Sequence, residues 1–209
     1  MLLSSLIAIA AVLVMGVMSP GPSFIYVART AVVHSRMHGL VTALGTGVGA
    51  ATFAMMAMLG LQKVLNAVPE LFIGLKIAGG AYLIWMGIKI FRGARQPMAV
   101  AVGGEKREIS LWKAFRDGLL TQLSNPKTAI VFASIFTALL PANIPTAFYY
   151  IVPVMSFVID AGWYSLVALV LSAEKPRRVY LRIKGAVDRT SATVLGILGV
   201  KLIYTSFSR

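Results

Sequence analysis

The chain has 209 residues, 58% of them hydrophobic and only 13% charged, against about 45–50% apolar and about 25% charged in a soluble domain. That balance excludes a water-soluble enzyme, a disordered chain and a nucleic-acid-binding domain. The formal charge of +13 has a membrane reading instead, since cytoplasmic loops are rich in Lys and Arg, and the absence of cysteine removes disulfides, thiolate metal sites and cysteine nucleophiles.

Six apolar runs follow in chain order, at roughly 3–28, 39–61, 70–91, 115–140, 147–171 and 188–207, each near the about 20 residues that a bilayer crossing takes. The first reads as a retained span rather than a cleaved leader: no Lys or Arg precedes Arg29, and the apolar stretch is too long. The expectation is an all-α integral membrane protein with six transmembrane helices, forming a single transporter domain over residues 1–209 in the lipid bilayer. Basic residues orient it. Arg29 and Arg36 follow the first run, seven more surround the third-to-fourth connection, and six follow the fifth run, so fifteen of the 20 lie on one side. The positive-inside rule makes that side cytoplasmic and both termini periplasmic, for a multi-pass protein of the inner membrane. The longest polar connection, Gly93 to Ser110, divides the chain into halves of about 1–92 and 111–209, joined by a cytoplasmic loop. Three spans per half send the second half into the membrane from the other side, the plan of two inverted three-helix repeats.

The first run contains Ser19-Pro20-Gly21-Pro22-Ser23, and the fourth contains Ser124-Asn125-Pro126-Lys127. Proline removes a backbone N–H and clashes with the preceding turn, so runs one and four are expected to be broken helices. Carbonyls freed in hydrocarbon are tolerated only where the break faces protein or a water-filled cavity. A single proline reads most simply as a structural kink; matched interruptions in two halves point to a transporter's binding site. Lys127 and Asp160 are the charged residues that no boundary adjustment easily moves to an interface. One reading is a mutual ion pair. The other is that Asp160 faces a substrate ammonium or a proton, while Lys127 and the helix breaks face a carboxylate.

Pro20, Gly21, Pro22, Asn125, Pro126, Lys127 and Asp160 are therefore the candidate substrate-binding residues, with Asp160 also the candidate for proton coupling. Their charges complement a small zwitterionic or cationic metabolite such as an amino acid. His34 and His38 stand four apart, but no carboxylate or cysteine nearby completes a metal site. Gly45 and Gly49 form a small-residue stripe that fits either internal packing or a homodimer face. No phosphate-binding loop, nucleophile–base set or paired catalytic carboxylates is visible, so no enzymatic role and no cofactor is expected, and active transport has to draw on an ion gradient or a partner.

Further motifs accumulate along the chain. Arg29 follows Pro20-Gly21-Pro22, and Gly39-Leu40 and Gly45 open the second run. Gly79-Gly80-Ala81-Tyr82-Leu83 and Gly87 lie in the third. Gly118-Leu119-Leu120 precedes Asn125-Pro126-Lys127, and Gly199-Val200-Lys201-Leu202 stands near the C-terminus. In this order and spacing, across essentially the whole chain, the sequence resembles the lysine exporter superfamily, which includes the homoserine/threonine efflux proteins of bacteria. Asp160 stands where that family often has an acidic residue in span five. The resemblance implies a secondary active exporter of amino acids or close derivatives in the bacterial inner membrane, working by proton antiport. Alternatives are export of another small solute or metal cation, for which Asp160 alone offers few oxygens, and a non-transporting membrane assembly subunit, which has no need of helix breaks and a carboxylate at membrane depth.

Overall fold

Prolines decide where several of the helices begin. In the computed structural model, which describes residues 2–67, 69–94, 109–140 and 144–207, α1 (Leu2–Met18) stops just short of Ser19-Pro20. Helix α2 (Pro22–Val33) then starts on Pro22, whose fixed φ suits a first helical position, and the two axes differ by 58°. Helix α3 (Arg36–Ala67) runs unbroken, and α4 (Pro69–Gly93) again starts on a proline. Ser110 caps α5 (Leu111–Leu123), its hydroxyl accepting from the Lys113 N–H at 3.2 Å. The second break follows at Ser124–Asn125, and α6 (Pro126–Leu139) opens on Pro126, with Asn125 Oδ1 accepting from the Lys127 N–H at 3.0 Å. Helices α7 (Phe148–Leu171) and α8 (Glu174–Phe207) complete the chain. Among the described residues no strand is present.

One correction to the sequence reading follows. The sixth run, expected to begin near residue 188, lies within a helix that starts at Glu174. An apolar-run criterion finds only the lipid-compatible part of a helix, while the Lys, Arg and Leu residues that precede it propagate the helix equally well. Length and hydropathy by themselves pick out fewer than six crossings among the described residues. Arg36–Gly60 and Phe148–Leu171 each qualify as spans, and the bent pair of α1 and α2 makes a third. Helices α5 and α6, with 13 and 14 residues, are too short to cross singly. The expected connecting loop at 95–108 lies outside the described residues.

Helix α3 packs against α5 and α7, α4 lies along α8, and α1 and α2 reach α6, α7 and α5. Glycine makes the closest of these crossings. A Cβ on Gly80 would stand 2.7 Å from the Gly199 carbonyl oxygen, and one on Gly199 would stand 2.6 Å from the Gly80 oxygen. Gly45 and Gly49 both pack on α5, against Phe115 and Gln122, so this stripe serves internal packing.

The apolar core is in two parts. One contains Leu13, Ala50, Val131, Phe132 and Val152; the other contains Phe24, Ala43, Tyr164 and Val167. Where a helix contributes to both parts, buried polar groups fall between them along the chain: Thr46 on α3, Ser156 and Asp160 on α7, and Ser19 and Ser23 at the first break. The fold places a polar layer at the level of the helix breaks.

Candidate substrate site

Within that layer the two breaks are joined by side chains. Asn125 Nδ2 donates to Ser23 Oγ at 3.0 Å, Ser23 Oγ donates to Gln122 Oε1 at 2.5 Å, and Gln122 Nε2 donates to Asp160 Oδ2 at 2.7 Å. All four residues are buried. The chain of donors runs from the second break to the start of α2, back to the end of α5, and ends on the α7 carboxylate. Among the described residues Asp160 Oδ1 accepts no hydrogen bond; the nearby Thr46 hydroxyl donates instead to the Ala43 carbonyl at 2.8 Å. A buried carboxylate oxygen in that condition is costly unless a ligand, a proton or water meets it.

Lys127 reaches the first break by another route. Its Nζ donates to the Ser19 carbonyl at 2.6 Å, just beyond the end of α1. The carbonyls at a helix C-terminus carry partial negative charge and suit an ammonium group. No ion pair joins Lys127 to Asp160, so the mutual-pair reading of these two charges does not hold. The carboxylate that acts electrostatically on Lys127 is Asp188, on α8.

Two cavities meet here. The smaller, about 40 Å³, is lined by Gln122, Asn125, Lys127, Ser156, Asp160 and Tyr164, with Leu13, Val17, Val131, Phe132 and Ile159 as its apolar wall. The larger, about 390 Å³, is lined by Ser19, Pro20, Gly21, Pro22, Tyr82, Trp85, Lys89, Asn125, Lys127 and Asp188. Gly21, Asn125 and Lys127 border both. Of the residues expected from sequence, Pro20 and Pro22 line the larger cavity and Asp160 the smaller. Pro126 opens α6, and its side chain lies outside the described residues.

Sequence reasoning missed Ser23, Gln122 and Asp188. Gln122 carried a signal, an amide four residues before a mid-span proline. Asp188 sits beside Arg189 at the edge of an apolar run and reads as a solvated boundary, yet it is only 3% exposed. His38 is structural: its Nδ1 hydrogen-bonds Ser35 Oγ and its Nε2 hydrogen-bonds the Ile109 carbonyl, both at 2.7 Å. Both ring nitrogens are engaged in tying the start of α3 to the approach to α5.

The family model of the LysE type translocators matches residues 14–206, a stretch that contains both breaks, Asp160 and Asp188. The chain belongs to the LysE type translocator family. It is thus a multi-pass membrane protein of a transporter family. The translocator is 32% identical to the threonine efflux protein of Escherichia coli over 196 residues, 93% of this chain and 95% of that one. The threonine efflux protein of Salmonella typhimurium matches to the same extent. A leucine efflux protein of an Enterobacter species is 30% identical over 122 residues, 57% of this chain and 56% of that one. No solved structure matches the translocator.

Proposed function

We propose that this translocator is a secondary active exporter of amino acids or close derivatives across the bacterial inner membrane, coupled to protons by antiport. The observation that carries the reading is the donor chain across the two helix breaks, which ends on a buried Asp160 whose Oδ1 has no hydrogen-bond partner among the described residues. The relatives support the substrate class. Threonine and leucine share an α-ammonium and an α-carboxylate and differ in side chain. Fixed charges for the shared part and an apolar wall for the variable part match the chemistry of both.

Asp160 takes the ammonium group. The carboxylate is taken by Lys127 and by the N-terminus of α2, which begins at Gly21 without a side-chain cap. A proton arriving from outside competes with the ammonium for Asp160, and its arrival releases the substrate. Substrate outward and proton inward then use one carboxylate alternately.

The helices support six crossings with inverted repeats: α1 with α2, α3, α4, α5 with α6, α7, and α8. Contacts of α3 with α5 are matched by those of α7 with α1, and contacts of α3 with α6 by those of α7 with α2. The pairings α3 with α4 and α7 with α8 match likewise, as do α1 with α6 and α5 with α2. A two-fold axis in the membrane plane relating residues 1–92 to 111–209 produces these pairs and the reciprocal Gly80–Gly199 contact. The test is efflux of a panel of labelled amino acids from proteoliposomes under an imposed pH gradient. Movement of at least one member, accelerated by the gradient, is expected. If no member of the panel moves, the substrate is a different solute.

A further inference from the structure

The space large enough for an amino acid is not beside Asp160. The cavity there, about 40 Å³, has room for about three waters. The neighbouring cavity, about 390 Å³, falls in the range of about 300–1,000 Å³ usual for small-molecule sites. It is also chemically furnished. Asp188, 3% exposed, and Lys127 lie on its inner wall. Trp85 and Lys89, both exposed, form its outer rim on α4, toward the end of that helix that carries Arg92. Lys89 Nζ lies 4.9 Å from the centre of the Trp85 ring, so that face already receives an ammonium group.

Lys127 divides the two spaces. It borders both, its Nζ is tied to the Ser19 carbonyl, and a Cβ on Gly21 would stand 3.2 Å from its Cδ. A molecule in the larger cavity meets Asp188, and one in the smaller meets Asp160, with the same lysine beside each.

We propose that the cavity between Asp188 and Trp85 is a second, separate binding site for the exported zwitterion, the station it occupies on entering from the basic end of the molecule. Asp188 receives the ammonium group there, and Lys127, with Lys89 at the rim, receives the carboxylate. The carboxylate stays with Lys127 while the ammonium exchanges Asp188 for Asp160, so the molecule advances by pivoting about one side chain. This assignment rests on the amino-acid export reading and adds a second site to it.

The chain has no cysteine, so one introduced thiol reports without background. Ile90 lines the larger cavity. In proteoliposomes of the full chain carrying Ile90→Cys, a charged methanethiosulfonate reagent applied at the cytoplasmic face should label the thiol, and L-threonine should protect it. Protection should persist when Asp160→Asn is added. It should weaken about tenfold in half-protecting concentration when Asp188→Asn is added instead, with Asp188→Glu restoring it. Asp188→Glu also keeps the test decisive if Asp188→Asn fails to fold. Protection that disappears with Asp160→Asn but survives Asp188→Asn overturns the second site. If L-threonine is exported with no protection of the thiol, the second site falls and the exporter stands; if it is neither exported nor protective, and the panel likewise, both fall.

Discussion

Gln122 Nε2 donates to Asp160 Oδ2 at 2.7 Å, and this contact links the second helix break to the buried carboxylate of α7. The same amide accepts from Ser23 through its oxygen, so its orientation is set by both partners. One carboxylate oxygen is thereby held by the protein and the other is left for a ligand or a proton. Replacing Gln122 with alanine removes a hydrogen bond to a charged group, worth about 1.5–3 kcal/mol. The half-saturating substrate concentration for efflux should rise about tenfold or more, read from initial rates in proteoliposomes. An unchanged value would mean that Asp160 is positioned without Gln122.

Lys127 is expected to read the substrate's carboxylate. Lys127→Met keeps the length of the side chain and removes its charge, along with the bond to the Ser19 carbonyl. The wild type should prefer threonine to threonine amide, and the variant should lose most of that preference. Competition of the two compounds against labelled threonine measures it. A preference that survives intact places the carboxylate elsewhere.

The crossing of α4 and α8 makes a stability prediction that is independent of transport. A methyl group at Gly80 or Gly199 would meet a facing backbone oxygen at 2.7 or 2.6 Å, and a main chain gives way only by separating the helices. Gly80→Ala and Gly199→Ala should each destabilise the protein by about 1–3 kcal/mol. Gly60, where a Cβ would meet nothing within 4 Å, is the control. Thermal unfolding in detergent should show lower midpoints for the first two and an unaltered one for Gly60→Ala.

Topology is testable with the same cysteine-free background. A cysteine placed at Ala101 should react with an impermeant reagent from the cytoplasmic face, and one appended after Arg209 should react from the periplasmic face. The distribution of fifteen of 20 basic residues is the warrant. Both cysteines reacting from one side would remove the inverted-repeat arrangement.

What could be read from the sequence and what could not divide along physical lines. Both helix breaks were legible, because proline acts on its own helix and needs no tertiary context. Asp160 was legible because a carboxylate at mid-span has few bland readings. Ser23 and Gln122 were not: uncharged polar residues are unremarkable in apolar helices, and beyond a 58° bend the 3.6-residue period no longer says which side chains share a face. The place of Asp188 near Lys127 was not legible for a related reason. Asp188 looked like the solvated end of a span, but α8 continues back to Glu174, which carries Asp188 inside the packed helices.

The most direct test of the account is the pH response of Asp160→Asn. Asparagine keeps the size of the side chain and can still meet Gln122, but it cannot exchange a proton for an ammonium group. Labelled amino-acid efflux from proteoliposomes should be accelerated by an inward proton gradient in the wild type. The variant, reconstituted to the same level, should show no acceleration. Efflux by Asp160→Asn with the wild-type dependence on the gradient would show that Asp160 is a structural partner of Gln122, and would contradict antiport through this carboxylate.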